Sequence, residues 1–272
     1  MNTSTTAPYA DPNSNSVLGA LCWVSLSTHD LAEAEDFYHA VLGWDWRVSR
    51  LGESYRFASV RGVPVAGISS TGRGSMPGVW TPFFATASAD DTAARGRERG
   101  GTTAVGPLAF PPGRAAVLAD RDGAVFGVWE GELVSDWENW RRAAPTFLEL
   151  HTRDAFDATM FYSEVLGWAS EEGGCCEVRY EDEEVVLRSR GQVVARIHSG
   201  AVDSAPDPQV RPRWQVHFSV DDVEACMQAA RTHGGQALSL GTDSSEALLT
   251  DPGGAGFVVN ARAPVAPSGQ EV

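Results

Sequence analysis

The sequence predicts an α+β protein built from two tandem domains, each made of two strand–helix–strands modules. Three observations predict this fold class: motifs that recur at nearly constant spacing, short runs in which apolar and polar residues alternate, and acidic residues placed to cap the helix that follows. The 272 residues are enough for two domains of ordinary size.

Internal repeats are the strongest signal in the chain. Residues 30–44 and 154–168 share an Asp, a Phe-Tyr pair and a Val-Leu-Gly-Trp run, 124 positions apart. A second repeat has an offset of 131 and joins 89–91 to 220–222 and 120–126 to 251–257. Two nearly constant offsets indicate a duplicated domain, and each copy contains two related halves.

The elements of a module can be read in order along the chain. Residues 23–27 and 147–151 alternate between apolar and polar side chains, which predicts strands with one apolar face. Asp30 caps the next helix, Glu33 follows three residues later, and Gly43 stands where a left-handed helix end is favoured. The apolar face of this helix consists of Leu31, Ala34, Phe37, Tyr38, Val41 and Leu42.

Strand-like runs with Gly- and Pro-containing turns complete each module. The predicted boundaries are a flexible tail over 1–17, a first domain over 18–130, a linker over 131–145, a second domain over 146–262 and a second flexible tail over 263–272.

Composition and charge exclude several classes of function. The net charge of −15 argues against proteins that bind nucleic acid or anionic membranes, because both need a basic surface. The chain contains no Lys, which excludes a lysine Schiff base. It also has neither an apolar stretch long enough to span a bilayer nor a signal-peptide pattern, so we expect a cytoplasmic protein.

With four modules paired two per domain, the chain resembles the vicinal oxygen chelate superfamily, which includes glyoxalases, bleomycin-resistance proteins and extradiol dioxygenases. The resemblance covers residues 18–262 and matches the tandem, glyoxalase-like or hydroxylase-like subgroup. The motifs that carry it are the two Phe-Tyr…Val-Leu-Gly-Trp runs and residues 65–68, 122–129 and 220–223. It implies that each domain curves its sheet around a cleft, but not one function, because the superfamily includes lyases, isomerases, dioxygenases and drug-binding proteins.

The resemblance also implies where a metal would be held. Ligands in metal-using members come from the first strand of each module, seven residues before the capping Asp, and from one later strand. In this chain the corresponding positions are Trp23, Gly67, Phe84 and Gly127 in the first domain and Phe147, Arg196, Gln215 and Val258 in the second. A divalent cation needs three or four carboxylate, imidazole or thiolate donors, so we expect no metal at the usual site and no cofactor.

Strand alternation predicts which side chains line the first cleft. The candidate ligand-binding residues there are Trp23, Ser25, Ser27, Ser69, Phe84, Thr86 and Trp129. A roomy cleft with aromatic and hydroxyl groups suits a flat, mostly apolar ligand that stacks on Trp. The alternative is that these aromatic residues simply fill the core of the sheet.

The second cleft is predicted to be polar. The candidate catalytic residues are Glu149, His151, Arg196 and His217, and the candidate ligand-binding residues are His198 and Gln215. We expect an ion pair between Arg196 and Glu149, and a raised pKa for His151 and His217 near that carboxylate, which would support general acid–base chemistry. The alternatives are a solvated face, a structural polar network, or a shifted metal site formed by Glu149, His151 and His217, against which the nearby Arg196 argues.

Three functions are therefore open. The first is a metal-independent protein that binds a hydrophobic, aromatic small molecule, for antibiotic resistance or for a step of antibiotic biosynthesis. The second is an enzyme of the second domain, either an isomerase, a lyase or an oxygenation-related enzyme using its acid–base residues, or a metal enzyme with the shifted site. The third is an inert duplicated scaffold that assembles with partners, and a homodimer is left open.

Overall fold

The chain forms four consecutive modules of the form β-α-β-β-β. The computed structural model describes residues 17–49, 52–71, 77–110, 113–133, 140, 147–168, 175–181, 184–202, 205, 207, 210–241 and 245–262. The two predicted tails and most of the predicted linker lie outside these residues. Val17, which we had assigned to the first tail, is buried. The domain boundaries stay predictions.

The four modules have the following elements. The first contains β1 (Leu21–Thr28), α1 (Leu31–Leu42), β2 (Asp45–Ser49), β3 (Gly52–Val60) and β4 (Val63–Ser70). The second contains β5 (Val79–Ala85), α2 (Ala89–Glu98), β6 (Thr102–Phe110), β7 (Gly113–Ala119) and β8 (Val125–Gly131). The third contains β9 (Phe147–His151), α3 (Ala155–Leu166), β10 (Glu177–Glu181), β11 (Glu184–Ser189) and β12 (Gln192–His198). The fourth contains β13 (Arg213–Val220), α4 (Val223–Thr232), β14 (Gln236–Leu240), β15 (Glu246–Thr250) and β16 (Gly256–Ala261).

Two eight-stranded sheets result from these modules. The first has the strand order β2-β3-β4-β1-β5-β8-β7-β6, and the second has the equivalent order β10-β11-β12-β9-β13-β16-β15-β14. In each sheet the first strands of the two modules pair antiparallel at the centre, and each of them also pairs in parallel with the last strand of its own module. The predicted α+β class, the duplication and the four modules are thereby confirmed.

An Asp caps the helix in three of the four modules. In the fourth module the cap is Asp222 and not Asp221, which the spacing to Glu224 had indicated. The side chains of Asp30, Asp154 and Asp222 accept hydrogen bonds from the first turns of α1, α3 and α4. Gly43 and Gly167 end α1 and α3 in the left-handed conformation, with φ of 66° and 76°.

The helix of the second module is capped by a residue that the sequence repeat did not indicate. Ser88 caps α2, and its side chain accepts a hydrogen bond from the backbone N–H of Asp91 at 3.2 Å. The repeat at offset 131 had aligned Asp91 with Asp222 as the capping residue. The helix therefore begins three residues earlier than expected, and this shift changes which residues of β5 face the cleft.

Two hydrogen-bond chains tie the sheets together across their helical sides, where α1 packs against α4 and α2 against α3. The Trp80 Nε1 donates to the Tyr38 hydroxyl at 2.9 Å, and Tyr38 donates to the Asp251 carboxylate of the other sheet at 3.1 Å. The second chain repeats this with Trp214, Tyr162 and Asp120, at 2.9 and 3.0 Å.

The repeated Val-Leu-Gly-Trp motif supports the same two chains. Trp44 stacks on Tyr38 with ring centroids 5.5 Å apart, and Trp168 stacks on Tyr162 at 5.0 Å. The Phe-Tyr and Gly-Trp pairs that revealed the duplication are therefore the residues that join the two copies. Among the described residues, no helix is long and apolar enough to cross a membrane.

Candidate functional site

The face of each sheet opposite its helices forms a candidate site. We call these faces the first cleft and the second cleft. The first cleft is lined by Trp23, Ser25, Ser27, Tyr55, Phe57, Ser69, Thr81, Phe83, Trp129 and Trp140. The second cleft is lined by Phe147, Glu149, His151, Glu184, Arg196, His198, Arg213, Gln215, His217, Glu246 and Asn260.

Aromatic side chains of the protein itself fill the centre of the first cleft. Trp140, from the predicted linker, is almost completely buried and stacks on Trp23 with ring centroids 5.6 Å apart and an interplanar angle of 24°. The Trp23 Nε1 donates to the Tyr55 hydroxyl at 3.0 Å, and Phe57 packs edge-on against both rings. The cleft is thus less open than the sequence had led us to expect.

Two glycines make room for this aromatic filling. A side chain at Gly67 would collide with the Tyr55 hydroxyl, and one at Gly127 would collide with the ring of Phe83. Burial raises the pKa of the Tyr55 hydroxyl, so Tyr55 stays protonated at neutral pH.

Two residues that we had assigned to the first cleft lie on the opposite face. Phe84 is buried against Phe126, Trp168 and Trp214, with centroid distances of 5.6 to 6.3 Å. Thr86 is buried and its hydroxyl contacts the Thr92 hydroxyl of α2 at 2.6 Å.

The shifted helix cap explains this error. Because Ser88 and not Asp91 is the cap, the residue seven positions before it is Thr81 and not Phe84. Thr81 and Phe83 accordingly replace Phe84 and Thr86 on the cleft side, and Phe83 pairs with Trp23 in the β1–β5 register.

The remaining predicted cleft residues lie on the expected faces. These are Trp23, Ser25, Ser27, Ser69 and Trp129 in the first cleft and Gln215 and His198 in the second. The sequence analysis missed Tyr55, Phe57, Phe83, Trp140 and Thr81 in the first cleft, and Glu184, Arg213, Glu246 and Asn260 in the second. The alternation of Tyr55 and Phe57 along β3 could have indicated the first two, whereas Trp140 reaches the cleft from outside the sheet. Roles in ligand binding stay predictions for all of these residues.

A single carboxylate organises the second cleft. The Nε2 atoms of three histidines approach the Glu149 carboxylate oxygens, at 3.2 Å for His217, 3.5 Å for His198 and 3.6 Å for His151. Adjacent strands create this convergence, since Glu149 and His151 lie on β9, His198 on β12 and His217 on β13. The predicted grouping of these side chains is therefore observed.

Two of the three histidines are also held from their other side. The Nδ1 of His198 lies 3.0 Å from a Glu184 oxygen. The Nδ1 of the buried His217 lies 3.0 Å from the amide oxygen of Asn260 and 3.4 Å from Glu246. His217 also contacts Phe147, with ring centroids 4.5 Å apart. These two imidazoles are fixed parts of the polar network.

His151 differs from the other two histidines. Its ring stacks on His198 at 5.5 Å and its Nε2 faces Glu149, but no partner for its Nδ1 is found among the described residues. Its side chain is 31% exposed, that of His198 is 24% exposed and that of His217 is 1% exposed. His151 therefore combines the largest exposure of the three with a ring nitrogen that has no partner among the described residues.

The pKa values follow from these contacts. Burial raises the pKa of the Glu149 carboxyl, but hydrogen bonds from the three imidazoles outweigh burial and lower it well below its usual range. The hydrogen bond to Glu149 raises the pKa of His198, against the opposing effect of burial. Glu149 is consequently ionised at neutral pH and serves as a fixed acceptor for the histidines.

The predicted ion pair between Arg196 and Glu149 is wrong. Arg196 lies beside Glu149 in the β12–β9 register, but its guanidinium pairs with Glu184 at 3.1 Å. The histidines already occupy both oxygens of Glu149, and Glu184 is the carboxylate that remains for Arg196. Gln215 is buried and accepts a hydrogen bond from Arg213 at 3.2 Å.

Comparison with known proteins shows which family the chain belongs to. The glyoxalase-like domain family matches residues 147–260. The anthracycline biosynthesis protein DauV of Streptomyces sp. (strain C5) is 32% identical over 262 residues, which cover 89% of this chain and 92% of that protein. The chain belongs to the glyoxalase-like proteins of the vicinal oxygen chelate superfamily.

Further relatives agree with this assignment. The anthracycline biosynthesis protein DnrV of Streptomyces peucetius is 31% identical to this glyoxalase-like protein, over 89% of this chain and 92% of DnrV. Among solved structures, the Mn(II)-bound glyoxalase of Novosphingobium aromaticivorans has a TM-score of 0.53 at 17% identity and covers 91% of this chain and 88% of its own. An extradiol ring-cleaving dioxygenase of B. fuscum has a TM-score of 0.56 at 15% identity, with 97% and 77% covered. These two structures support the fold alone.

The superfamily implies a divalent metal, and the residues of this glyoxalase-like protein do not fit one. In the first cleft, aromatic rings cover Gly67 and Gly127 at two of the chelating positions, and Trp23 and Thr81 hold the others. In the second cleft, the chelating positions are Phe147, Arg196, Gln215 and Val258, of which only the buried amide of Gln215 is even a weak donor. Over the described part of the chain, no three His, Cys, Asp or Glu side chains are arranged to hold a metal ion, and this includes the shifted set of Glu149, His151 and His217.

Proposed function

We propose that this glyoxalase-like protein binds a flat, hydrophobic, aromatic small molecule and that it does so without a chelated metal ion. In this proposal it acts in the biosynthesis of a natural product, where it sequesters the compound or holds it for a biosynthetic partner. The observation that carries the proposal is the stacking of Trp140 on Trp23, because a flat aromatic ring already packs in the first cleft.

The Trp140 indole has the shape and polarity of such a ligand. Its indole is flat and apolar and lies nearly parallel to Trp23, as a stacked aromatic ligand would. Its buried Nε1 has no hydrogen-bond partner among the described residues. An unsatisfied buried donor costs about 1–3 kcal/mol, which weakens the hold of the cleft on Trp140. A ligand without such a donor can therefore compete for the same place.

Two relatives support the biosynthetic role. DauV and DnrV are both named as anthracycline biosynthesis proteins and align with this chain over most of their lengths. A fused aromatic ring system is the flat apolar group that stacks well on Trp. The side chains at the chelating positions support binding through shape and stacking and argue against metal coordination.

Fluorescence titration with anthraquinone tests ligand capture. We expect anthraquinone to quench the Trp emission of the purified protein, and Trp23→Leu to weaken binding because the stacking surface is lost. Trp140→Ala should tighten binding, since the competing indole is removed. The control is Tyr180→Ala, which changes an aromatic side chain that is 72% exposed and lies on the second sheet, on the face opposite its cleft.

Metal analysis of the same preparation tests metal independence. We expect substoichiometric Mn, Fe, Zn and Ni, and unchanged anthraquinone binding after treatment with a chelator. One tightly held metal per chain, or binding that is lost with the metal, would overturn the metal-independent proposal. Equal affinity in the native protein, Trp23→Leu and Trp140→Ala would overturn the assignment of the ligand to the first cleft.

A further inference from the structure

The second cleft contains a partly exposed imidazole, His151, whose Nε2 lies 3.6 Å from the half-buried Glu149 carboxylate. We propose that His151 is a general base that moves a proton within an enolisable aromatic ketone, and that this makes the protein a keto–enol isomerase. The inference rests on the proposed function in that the substrate belongs to the class of flat aromatic compounds proposed there. The reaction is assigned to the second cleft, whereas stacking on Trp23 belongs to the first.

The division of roles follows from the contacts. His151 Nε2 faces a Glu149 oxygen at 3.6 Å, which favours the tautomer with its proton on Nε2 and its lone pair on Nδ1. A carboxylate beside one nitrogen orients a catalytic histidine in the same way. Glu149 cannot itself be an effective base, because three imidazoles occupy its two oxygens. It is a positioning residue, and His198 and His217 hold it in place.

The surroundings suit proton transfer to an oxygen. Arg213 lies opposite His151 in the β9–β13 register, so a cation is carried on the neighbouring strand of the same face. Glu184 and Glu246 engage the outer nitrogens of His198 and His217, which keeps these two rings from competing for the substrate. Of the three histidines, His151 has the most exposed side chain.

The step needs no co-reactant. His151 Nδ1 takes a proton from the carbon next to the carbonyl, the C–H electron pair becomes the new C=C bond, and the carbonyl electron pair moves to oxygen. The imidazolium then returns the proton to that oxygen, which gives the enol and restores the neutral imidazole. One C–H bond is broken and one O–H bond is formed, without oxidation or reduction.

Hydrogen–deuterium exchange at the methylene carbon of anthrone tests the proposal. Anthrone is a flat tricyclic ketone whose enol is aromatic, and exchange in deuterated buffer is followed by proton NMR. We expect the native protein to accelerate exchange and His151→Ala to reduce the acceleration by about 10²- to 10⁴-fold, as for other general bases. Glu149→Gln should lower kcat with little change in KM, because the imidazole is retained but no longer oriented.

A control and a rescue separate chemistry from folding. His233→Gln changes an exposed histidine at the end of α4 and should leave exchange unchanged. Added imidazole should restore exchange in His151→Ala above the rate of imidazole alone, which a purely structural role of His151 would not allow. No acceleration by the native protein, or full activity in His151→Ala, overturns this inference. Anthrone binding without exchange overturns this inference and leaves the proposed function standing. Exchange without ligand capture by the first cleft supports this inference and overturns the proposed function.

Discussion

Two glycines of the first sheet have no room for a side chain, because aromatic rings lie directly over them. Gly67 lies beneath the Tyr55 hydroxyl and Gly127 beneath the Phe83 ring, at positions where the superfamily would place metal ligands. Each glycine lets an aromatic side chain reach a place that a ligating residue would otherwise occupy. At these two positions of the first cleft, a glycine therefore stands in place of a metal ligand, and an aromatic ring fills the space above it.

Adding one methyl group at Gly67 tests this explanation. We expect Gly67→Ala to lower the free energy of unfolding by about 1–3 kcal/mol, because the new Cβ forces the Tyr55 ring from its position. Denaturant unfolding measures the change. The double variant Gly67→Ala, Tyr55→Phe should recover part of the loss, since the colliding hydroxyl is removed.

Gly256→Ala is the matched control for this prediction. Gly256 also lies in a strand, but the nearest atom to a Cβ there is 4.0 Å away, so we expect a change within about 0.5 kcal/mol. If Gly67→Ala were as stable as Gly256→Ala, the packing of Tyr55 over Gly67 would not be a constraint.

Alternation along single strands predicted most of the residues of both clefts. It placed Glu149 with His151 and His217 because strand β9 and strand β13 are each regular. It could not give the partner of Arg196, because Glu184 lies on another strand whose register the sequence does not reveal. It also could not place Trp140, which reaches Trp23 from the segment between the two sheets.

At the scale of elements, one misplaced helix cap explains why the sequence analysis assigned Phe84 and Thr86 to the wrong face of β5. The repeat correctly predicted α1, α3 and the strands before them, for which an Asp is the cap. In the second module the side chain that caps the first turn is that of Ser88, although Asp90 and Asp91 lie two and three residues after it. Because facing side chains alternate along a strand, an error of three residues in the cap reverses the predicted faces of β5.

Substitution at the cap distinguishes the two alignments. We expect Ser88→Ala to cost about 0.5–2 kcal/mol of unfolding free energy, because the Asp91 N–H loses its acceptor. Asp91→Ala should cost less, since its carboxylate contributes only a favourable charge in the first turn of α2. Thermal and denaturant unfolding would compare them, and a larger loss for Asp91→Ala would favour the alignment at offset 131.

At the scale of the whole molecule, the two sheets depend on each other through Tyr38 and Tyr162. Each hydroxyl accepts from a Trp of its own sheet and donates to an Asp of the other. Burial raises the pKa of Asp120 and Asp251, although hydrogen bonds partly offset it. The sequence repeat revealed the Phe-Tyr pairs, but not that they cross between copies, because this depends on how the sheets pack.

Removing one hydroxyl should destabilise the whole chain. Tyr38→Phe leaves Asp251 and the Trp80 Nε1 each short of a partner, so we expect a loss of about 1–3 kcal/mol, and the same for Tyr162→Phe. Denaturant unfolding followed by fluorescence and circular dichroism should give coincident, single transitions if the sheets unfold together.

The exposed Tyr180 supplies the control for this prediction. Tyr180→Phe removes a hydroxyl from a side chain that is 72% exposed and should be nearly neutral. Two separate transitions in the native protein, or a neutral Tyr38→Phe, would contradict the dependence of one sheet on the other.

The crossed tyrosine contacts also bear on the origin of the chain. A single half, on its own, would present a tyrosine without its acid and an acid without its tyrosine, and a second identical half would supply both. The present protein thus has within one polypeptide the reciprocal contact of a symmetric dimer. After such a fusion the two halves no longer have to be the same, and one could keep an aromatic interior while the other acquired histidines.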